Sequence, residues 1–191
     1  MGLKPNYVRD YFLQSKIRGI WSWTISIAIA VIAAMIVTVC FFKSTVLQDS
    51  SMEPTLCAGD TILIDTAVYH FTTPQRGDVI VFRTGDDEMG SLHTKRVVGL
   101  PGETVQIVDG QVIVDGEVYL EQKDFPGISN AGMAEEEITL SSTQFFVLGD
   151  NRNNSEDSRH PGIGSVEKES IVGKAWFVAS PAADFGWISG K

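Results

Sequence analysis

The sequence predicts a mainly β protein, an antiparallel β-sheet domain preceded by one N-terminal transmembrane α-helix. Two observations predict it. From Gly19 to Phe42 there is no charged side chain. After Lys43 helical periodicity almost vanishes, and short β-branched runs alternate with turn residues. The chain of 191 residues divides on this reading into a segment over 1–19, an apolar span over 20–42 and a β-rich domain over 43–191.

The span is apolar on every face, unlike a surface helix with one buried stripe. About 23 helical residues rise roughly 35 Å, enough to cross a hydrocarbon core of about 30 Å with some tilt. Trp21 and Trp23 near one end, with Phe41 and Phe42 at the other, suit the two membrane interfaces. It is longer than the usual 7–15-residue apolar region of a cleaved leader. Ahead of it Lys4, Arg9, Lys16 and Arg18 face one acid, Asp10, for a net +3. The bias toward basic residues places the N-terminus in the cytoplasm and the larger domain outside a cell membrane crossed once.

The full chain carries a formal net charge of −9, with no dense basic patch beyond the N-terminus. A nucleic-acid partner is therefore not expected. Cys40 and Cys57 lie in different environments and are not expected to pair. His70 and His160 show no metal-ligand spacing, and neither a metal nor a cofactor is expected.

Strands are predicted over 61–68, 78–82, 94–98, 144–148 and 171–179. The strongest local signal lies over 104–119. There Val105 to Val108 and Val112 to Val114 flank Asp109-Gly110, a two-residue hairpin turn, and Asp115-Gly116 follows. Residues 121–137, with Pro126, Gly127, Gly132 and three consecutive glutamates from Glu135, read as an exposed insertion with one helical turn at most.

Three segments are too specific for strand filler. The first runs Asp49-Ser50-Ser51-Met52-Glu53-Pro54-Thr55-Leu56, a serine just past the apolar span beside a proline-fixed turn. The second, His93-Thr94-Lys95-Arg96-Val97-Val98-Gly99-Leu100-Pro101-Gly102, sets two cations inside an apolar strand. Adjacent strand residues face opposite sides, so one of Lys95 and Arg96 is expected to point inward. The third, Gly149-Asp150-Asn151-Arg152-Asn153-Asn154-Ser155-Glu156-Asp157-Ser158-Arg159, is dense in hydrogen-bonding groups behind the apolar run ending at Leu148.

In this order behind the span, and with Arg76-Gly77-Asp78-Val79-Ile80-Val81-Phe82 as a fourth block, the segments closely resemble the type I signal peptidase family over residues 20–180. The resemblance implies an all-β Ser-Lys protease that removes signal peptides from exported preproteins, commonly at Ala-x-Ala sites. It also implies a place on the outer face of a lipid bilayer. Ser51 is then the nucleophile and Lys95 the general base. By the same resemblance Ser155 hydrogen-bonds and orients the lysine, and Arg96, Asp157 and Arg159 support the site through ion pairs. The substrate would pair in extended form with residues 46–49 and 92–94.

A lysine base imposes a physical requirement. Near its ordinary pKa of about 10.4 lysine is almost wholly charged at neutral pH, so the fold must destabilise the ammonium. The Ser51 backbone N–H should donate to the oxyanion, and Ser50 is a candidate second donor. Relatives often carry serine or glycine where this chain has Asp49, and an ionised carboxylate would repel an oxyanion. Asp49 is therefore expected to point away or be protonated. His93 should share a strand face with Lys95. Two other readings remain at this level, a dedicated Ser-Lys protease for one substrate of pilin or conjugation type and a non-catalytic tethered β module.

Overall fold

In the computed structural model the described residues are 21–35, 41–85, 90–121 and 125–188. The chain divides into two compact units, Met1–Phe41 and Phe42–Lys191. In the first, residues 21–35 are helical and exposed all round. Among the described residues no helix is long and apolar enough to cross a membrane. The basic flank, Cys40 and residues 36–40 of the expected span lie outside the described residues. Phe42, expected to close that span, instead opens a β-strand.

In the second unit period-2 patterning gives twelve strands among the described residues. They are β1 (Phe42–Val46), β2 (Thr61–Asp65), β3 (Val79–Thr84), β4 (Ser91–Gly99), β5 (Thr104–Val108), β6 (Gln111–Val114), β7 (Glu117–Val118), β8 (Ile138–Thr139), β9 (Gln144–Leu148), β10 (Val166–Glu167), β11 (Ile171–Ser180) and β12 (Gly186–Trp187). All pairings are antiparallel. One sheet runs β1-β2-β11-β3-β4-β9-β10 with β12 on β11, and a second runs β7-β6-β5-β8.

The β5–β6 hairpin forms where the Asp-Gly signal predicts it, pairing Val105 with Val114 and Ile107 with Val112. Asp109 and Gly110 take φ of 50° and 77°, and Asp115 and Gly116 take 50° and 79°. Successive positive φ values match the right-handed strand twist, which is why Asp-Gly serves at such turns. Past Asp65 the predicted strand ends early. Two backbone N–H groups, of Ala67 and Val68, donate to the Asp65 carboxylate and turn the chain into a short helix, Val68–Phe71.

The central strands are covered on both faces. Val79, Ile80, Val81 and Phe82 are all buried, with Val79 and Val81 packing against Ile62, Ile64, Met52 and Leu56, and Ile80 and Phe82 against Val97, Phe145 and Val147. Each such side chain contributes about 1.5–3 kcal/mol by leaving water. Gly99 marks the passage to the second sheet, since a Cβ there would crowd Val105, Leu140 and Phe146.

The insertion is more than an exposed loop. Ile128 and Ala134 are buried with Val98, Val105 and Phe146 in the second core. Its single helical turn, a 3-10 helix over Gly132–Glu135, leaves the Met133 N–H donating to the Arg159 carbonyl at 2.9 Å. The run Glu135 to Glu137 misleads because it is exposed, while Ile128 and Ala134 ahead of it reach inward.

Candidate active site

Ser51 lies one turn beyond β1. Its loop is fixed from below by buried Leu47, Met52 and Leu56, which belong to one core with β2 and β3. From the other side the 149–159 loop holds it. The Asn151 N–H donates to the Ser51 carbonyl at 2.9 Å, and the Asn151 side chain donates to the Ser50 carbonyl at 3.1 Å. Gly149 lets the two loops meet. A Cβ at that position would collide with the Ser51 carbonyl oxygen and the Ser155 hydroxyl.

Lys95 sits in mid-β4, opposite Ile80 of β3. Its side chain is buried, yet Nζ lies 2.5 Å from Ser51 Oγ. Burial pushes the lysine pKa down, against the nearby carboxylates of Asp49, Asp157 and Glu156. Arg96 is also buried, so both members of the pair point inward where alternation predicts one. The strand is interior and covered on both faces, so alternation sends each cation into a different part of the protein. Arg96 forms a bidentate pair with Asp150, with Nε to Oδ1 and Nη2 to Oδ2 both at 2.7 Å, and Nη1 donates to the Gly77 carbonyl at 2.7 Å.

Asp157 and Arg159 pair with each other, both Nε and Nη2 donating at 2.8 Å. The Asp157 carboxylate also accepts from the Gly149 N–H at 3.0 Å, and Arg159 Nη1 donates to the Asn130 carbonyl. These residues shape the loop that carries Gly149. Ser155 departs from expectation. Its buried hydroxyl makes no hydrogen bond, to Lys95 or to anything else described, although it lines the same cleft. The Ser50 hydroxyl is engaged by Asn154 Nδ2 at 3.1 Å.

Asp49 also departs, and further. Its Oδ1 accepts from the Ser51 backbone N–H at 3.0 Å and from Ser51 Oγ at 2.6 Å. It points at the serine, not away. Burial works to raise its pKa, but the two Ser51 hydrogen bonds and the charges of Lys95 and His93 outweigh it, and the carboxyl lies below its ordinary value. His93 shares the Lys95 face. Its Nε2 lies 3.0 Å from Thr84 Oγ1, and its ring stacks on Phe82 at 5.6 Å. Burial and the Lys95 charge lower its pKa, which favours the neutral ring.

Together these side chains border a cleft of about 390 Å³, walled by Asp49, Ser51, His93, Lys95, Ser155 and Glu156 among others. The β4–β9 ladder begins only at Arg96, so among the described residues the edge of β4 from Ser91 to Lys95 opposite β3 has no strand partner. Nowhere among the described residues do three His, Cys, Asp or Glu side chains stand together to hold a metal. Cys57 is free and exposed.

Sequence reasoning missed Asp150, Asn151 and the pair of buried Arg152 with Glu121, at 2.6 and 2.5 Å. Asp150 had a faint signal, a carboxylate directly after the apolar run that ends β9. Register supplies the rest, because Leu148 pairs with Arg96 and so brings Asp150 to the guanidinium. Glu121 had no signal.

The profile described as signal peptidase, peptidase S26, matches residues 20–180. Among curated proteins the chain is 35% identical over 156 residues to a signal peptidase I of Leptolyngbya laminosa, covering 78% of this chain and 74% of that protein. It is 33% identical over 171 residues to signal peptidase I T of Bacillus subtilis strain 168, covering 83% and 84%. A crystal structure of a signal peptidase I from Enterococcus faecalis V583 aligns at 30% identity with a TM-score of 0.44, covering 54% of this chain and 97% of that one. The family match over residues 20–180, with curated relatives 35% and 33% identical, decides the matter: the chain belongs to the signal peptidase family, peptidase S26.

Proposed function

We propose that this chain is a serine endopeptidase that removes signal peptides from exported preproteins, with Ser51 as nucleophile and Lys95 as general base. The observation that carries the assignment of roles is the 2.5 Å approach of Lys95 Nζ to Ser51 Oγ inside a buried wall. A serine hydroxyl attacks poorly until a base takes its proton, and a buried amine with a lowered pKa is such a base. Ser51 Oγ adds to the scissile carbonyl as its proton passes to Lys95 Nζ. The ammonium then protonates the leaving amine, and an acyl-enzyme remains. Neutral Lys95 next activates a water that releases the signal peptide's new carboxyl end. The Ser51 N–H is the oxyanion donor, and Ser50 Oγ accepts from Asn154 Nδ2, which leaves the Ser50 hydroxyl proton free to serve as the second donor. Arg96, Asp157 and Arg159 position the loops without touching the reacting atoms.

The unpaired edge of β4 supports an extended substrate that adds as a strand at residues 92–94, opposite residues 46–49. The small cleft suits Ala-x-Ala sites. Anchoring in the bilayer by residues 20–42, with residues 1–19 cytoplasmic and 43–191 outside, is supported by the uncharged run and its basic flank. Within the second unit, Phe42, Trp176, Phe177, Phe185 and Trp187 form a chain of ring contacts 4.8–5.6 Å apart, and Phe185 and Trp187 are exposed. Exposed aromatics of this kind favour the interface of a lipid bilayer.

The test is cleavage of a purified precursor bearing an Ala-x-Ala site. Lys95→Ala should lower kcat by about 10²–10⁴-fold, the usual worth of a general base, and Ser51→Ala should abolish cleavage. Retained activity in both variants would overturn the reading.

A further inference from the structure

Asp49 is held by the two groups that catalysis needs free. Its Oδ1 accepts from the Ser51 N–H at 3.0 Å, and that N–H is the donor aimed at the oxyanion. The same oxygen accepts from Ser51 Oγ at 2.6 Å. The hydroxyl has one proton. While it points to Asp49 it cannot point to Lys95, and Oγ accepts from the lysine instead. The hydrogen bonds run in one direction, from Lys95 Nζ to Ser51 Oγ and from the Ser51 hydroxyl to the Asp49 carboxylate, so the hydroxyl proton is turned away from the base.

Resting on the roles assigned above to Ser51 and Lys95, we propose that Asp49 is a positioning residue that keeps the free enzyme self-masked, its carboxylate standing in for the oxyanion until substrate displaces it. Three effects share one sign. The carboxylate fills the oxyanion donor. It draws the hydroxyl proton away from the amine. Its negative charge favours the ammonium form of Lys95.

Asp49 is free to leave. It lies exposed on the loop between β1 and the Ser51 turn, and the hydrogen bonds that hold it come from Ser51. A substrate strand docking along this stretch brings its carbonyl oxygen to the Ser51 N–H. The carboxylate then rotates into water, and the hydroxyl proton turns to Lys95. As the Oγ–carbon bond forms, that proton moves to Nζ, and the carbonyl electron pair settles on the oxygen where Asp49 had been. The mask costs apparent substrate affinity, because its hydrogen bonds to Ser51 break as substrate docks, and it leaves the free serine less open to other electrophiles.

The experiment compares wild type with Asp49→Gly and Asp49→Asn on an Ala-x-Ala precursor peptide across pH, with Ser51→Ala alongside. Asparagine nearly preserves shape, so it covers the case in which glycine disturbs the loop. Free enzyme that is unmasked about one-tenth of the time has its apparent substrate affinity, and so kcat/KM, lowered about tenfold. Asp49→Gly should therefore raise kcat/KM about tenfold at neutral pH, and Asp49→Asn, whose amide oxygen still accepts from Ser51 but carries no charge, should raise it by a smaller factor. The charged and titratable groups around Asp49 are Lys95 and His93, with Glu156 on the opposite wall, and none of them changes in the variants. Removing the carboxylate withdraws support from the Lys95 ammonium, so the rising limb of the pH profile should move to lower pH. A rate that falls or stays level, or a limb that stays in place, overturns the proposal while the nucleophile assignment stands on the inactive Ser51→Ala. If Ser51→Ala still cleaves, the assignment itself fails and the mask falls with it.

Discussion

Lys95 and Arg96 are neighbours on one strand, both cationic, both buried, and they occupy opposite situations. On one face of β4 the guanidinium meets a carboxylate squarely, two parallel hydrogen bonds of 2.7 Å to Asp150 and a third to Gly77. On the other the ammonium meets a hydroxyl, with Asp49 one bond further on. The difference teaches how burial is used. Where a matched counter-charge is in direct contact, a buried cation stays charged and fixes two segments of chain. Where the contact is a hydroxyl, burial lowers the pKa and leaves the group able to exchange a proton. Residue type follows from this, since arginine does not lose its proton and lysine does.

The largest test of that contrast is Arg96→Ala. It leaves Asp150 buried and unpaired, and removing one partner of a buried pair costs about 3–5 kcal/mol. Urea unfolding should show a loss of that size, and a much smaller loss for the double variant Arg96→Met with Asp150→Leu, which leaves no orphaned charge. A small loss in the single variant would mean that the two faces of β4 are less different than their geometry.

Gly149→Ala should have a smaller effect on stability and a distinct one on activity. Crowding of this kind costs about 1–3 kcal/mol. Because the added methyl pushes on Ser51 and Ser155, kcat should fall by at least about tenfold even where the protein is fully folded. That follows from the sensitivity of the reaction to misplacement of the nucleophile. Far-ultraviolet circular dichroism and a cleavage assay at the same temperature separate the two effects.

The smallest expected effect concerns the Lys95 charge. With its pKa lowered on folding, the unfolded chain binds more protons through the window between the folded value and the ordinary lysine value. Stability from this group therefore grows as pH rises through that window and is lost as pH falls. Lys95→Met should raise Tm at neutral pH and lose most of that gain near pH 10. Thermal melts at the two pH values decide it.

How far the site was legible follows the same division. Ser51 and Lys95 carried modest signals alone, a serine beside a proline-fixed turn and a cation inside an apolar strand, and the resemblance assigned their roles. Asp157, Arg159 and Arg96 were readable through the resemblance, yet the partner of Arg96 was not. Asp150 lies 54 positions away, and only the β4–β9 register brings it close. Ser155 was expected on Lys95 and makes no hydrogen bond to it, and Asp49, expected to point away or be protonated, turns toward Ser51. Side-chain direction in a loop depends on which donors the surrounding chain presents, and these are not written in the loop.

By itself the sequence determined the antiparallel β class, the Asp-Gly hairpin turns and the chemical kinds of residue at the cleft. These depend on local periodicity, on turn conformations open to few residues and on side chains with few alternative uses. Only the tertiary structure decided that both cations of β4 are buried, that residues 128–134 join the second core and that the nucleophile rests against a carboxylate. Each of those depends on strand order and register among distant segments, which no local pattern encodes.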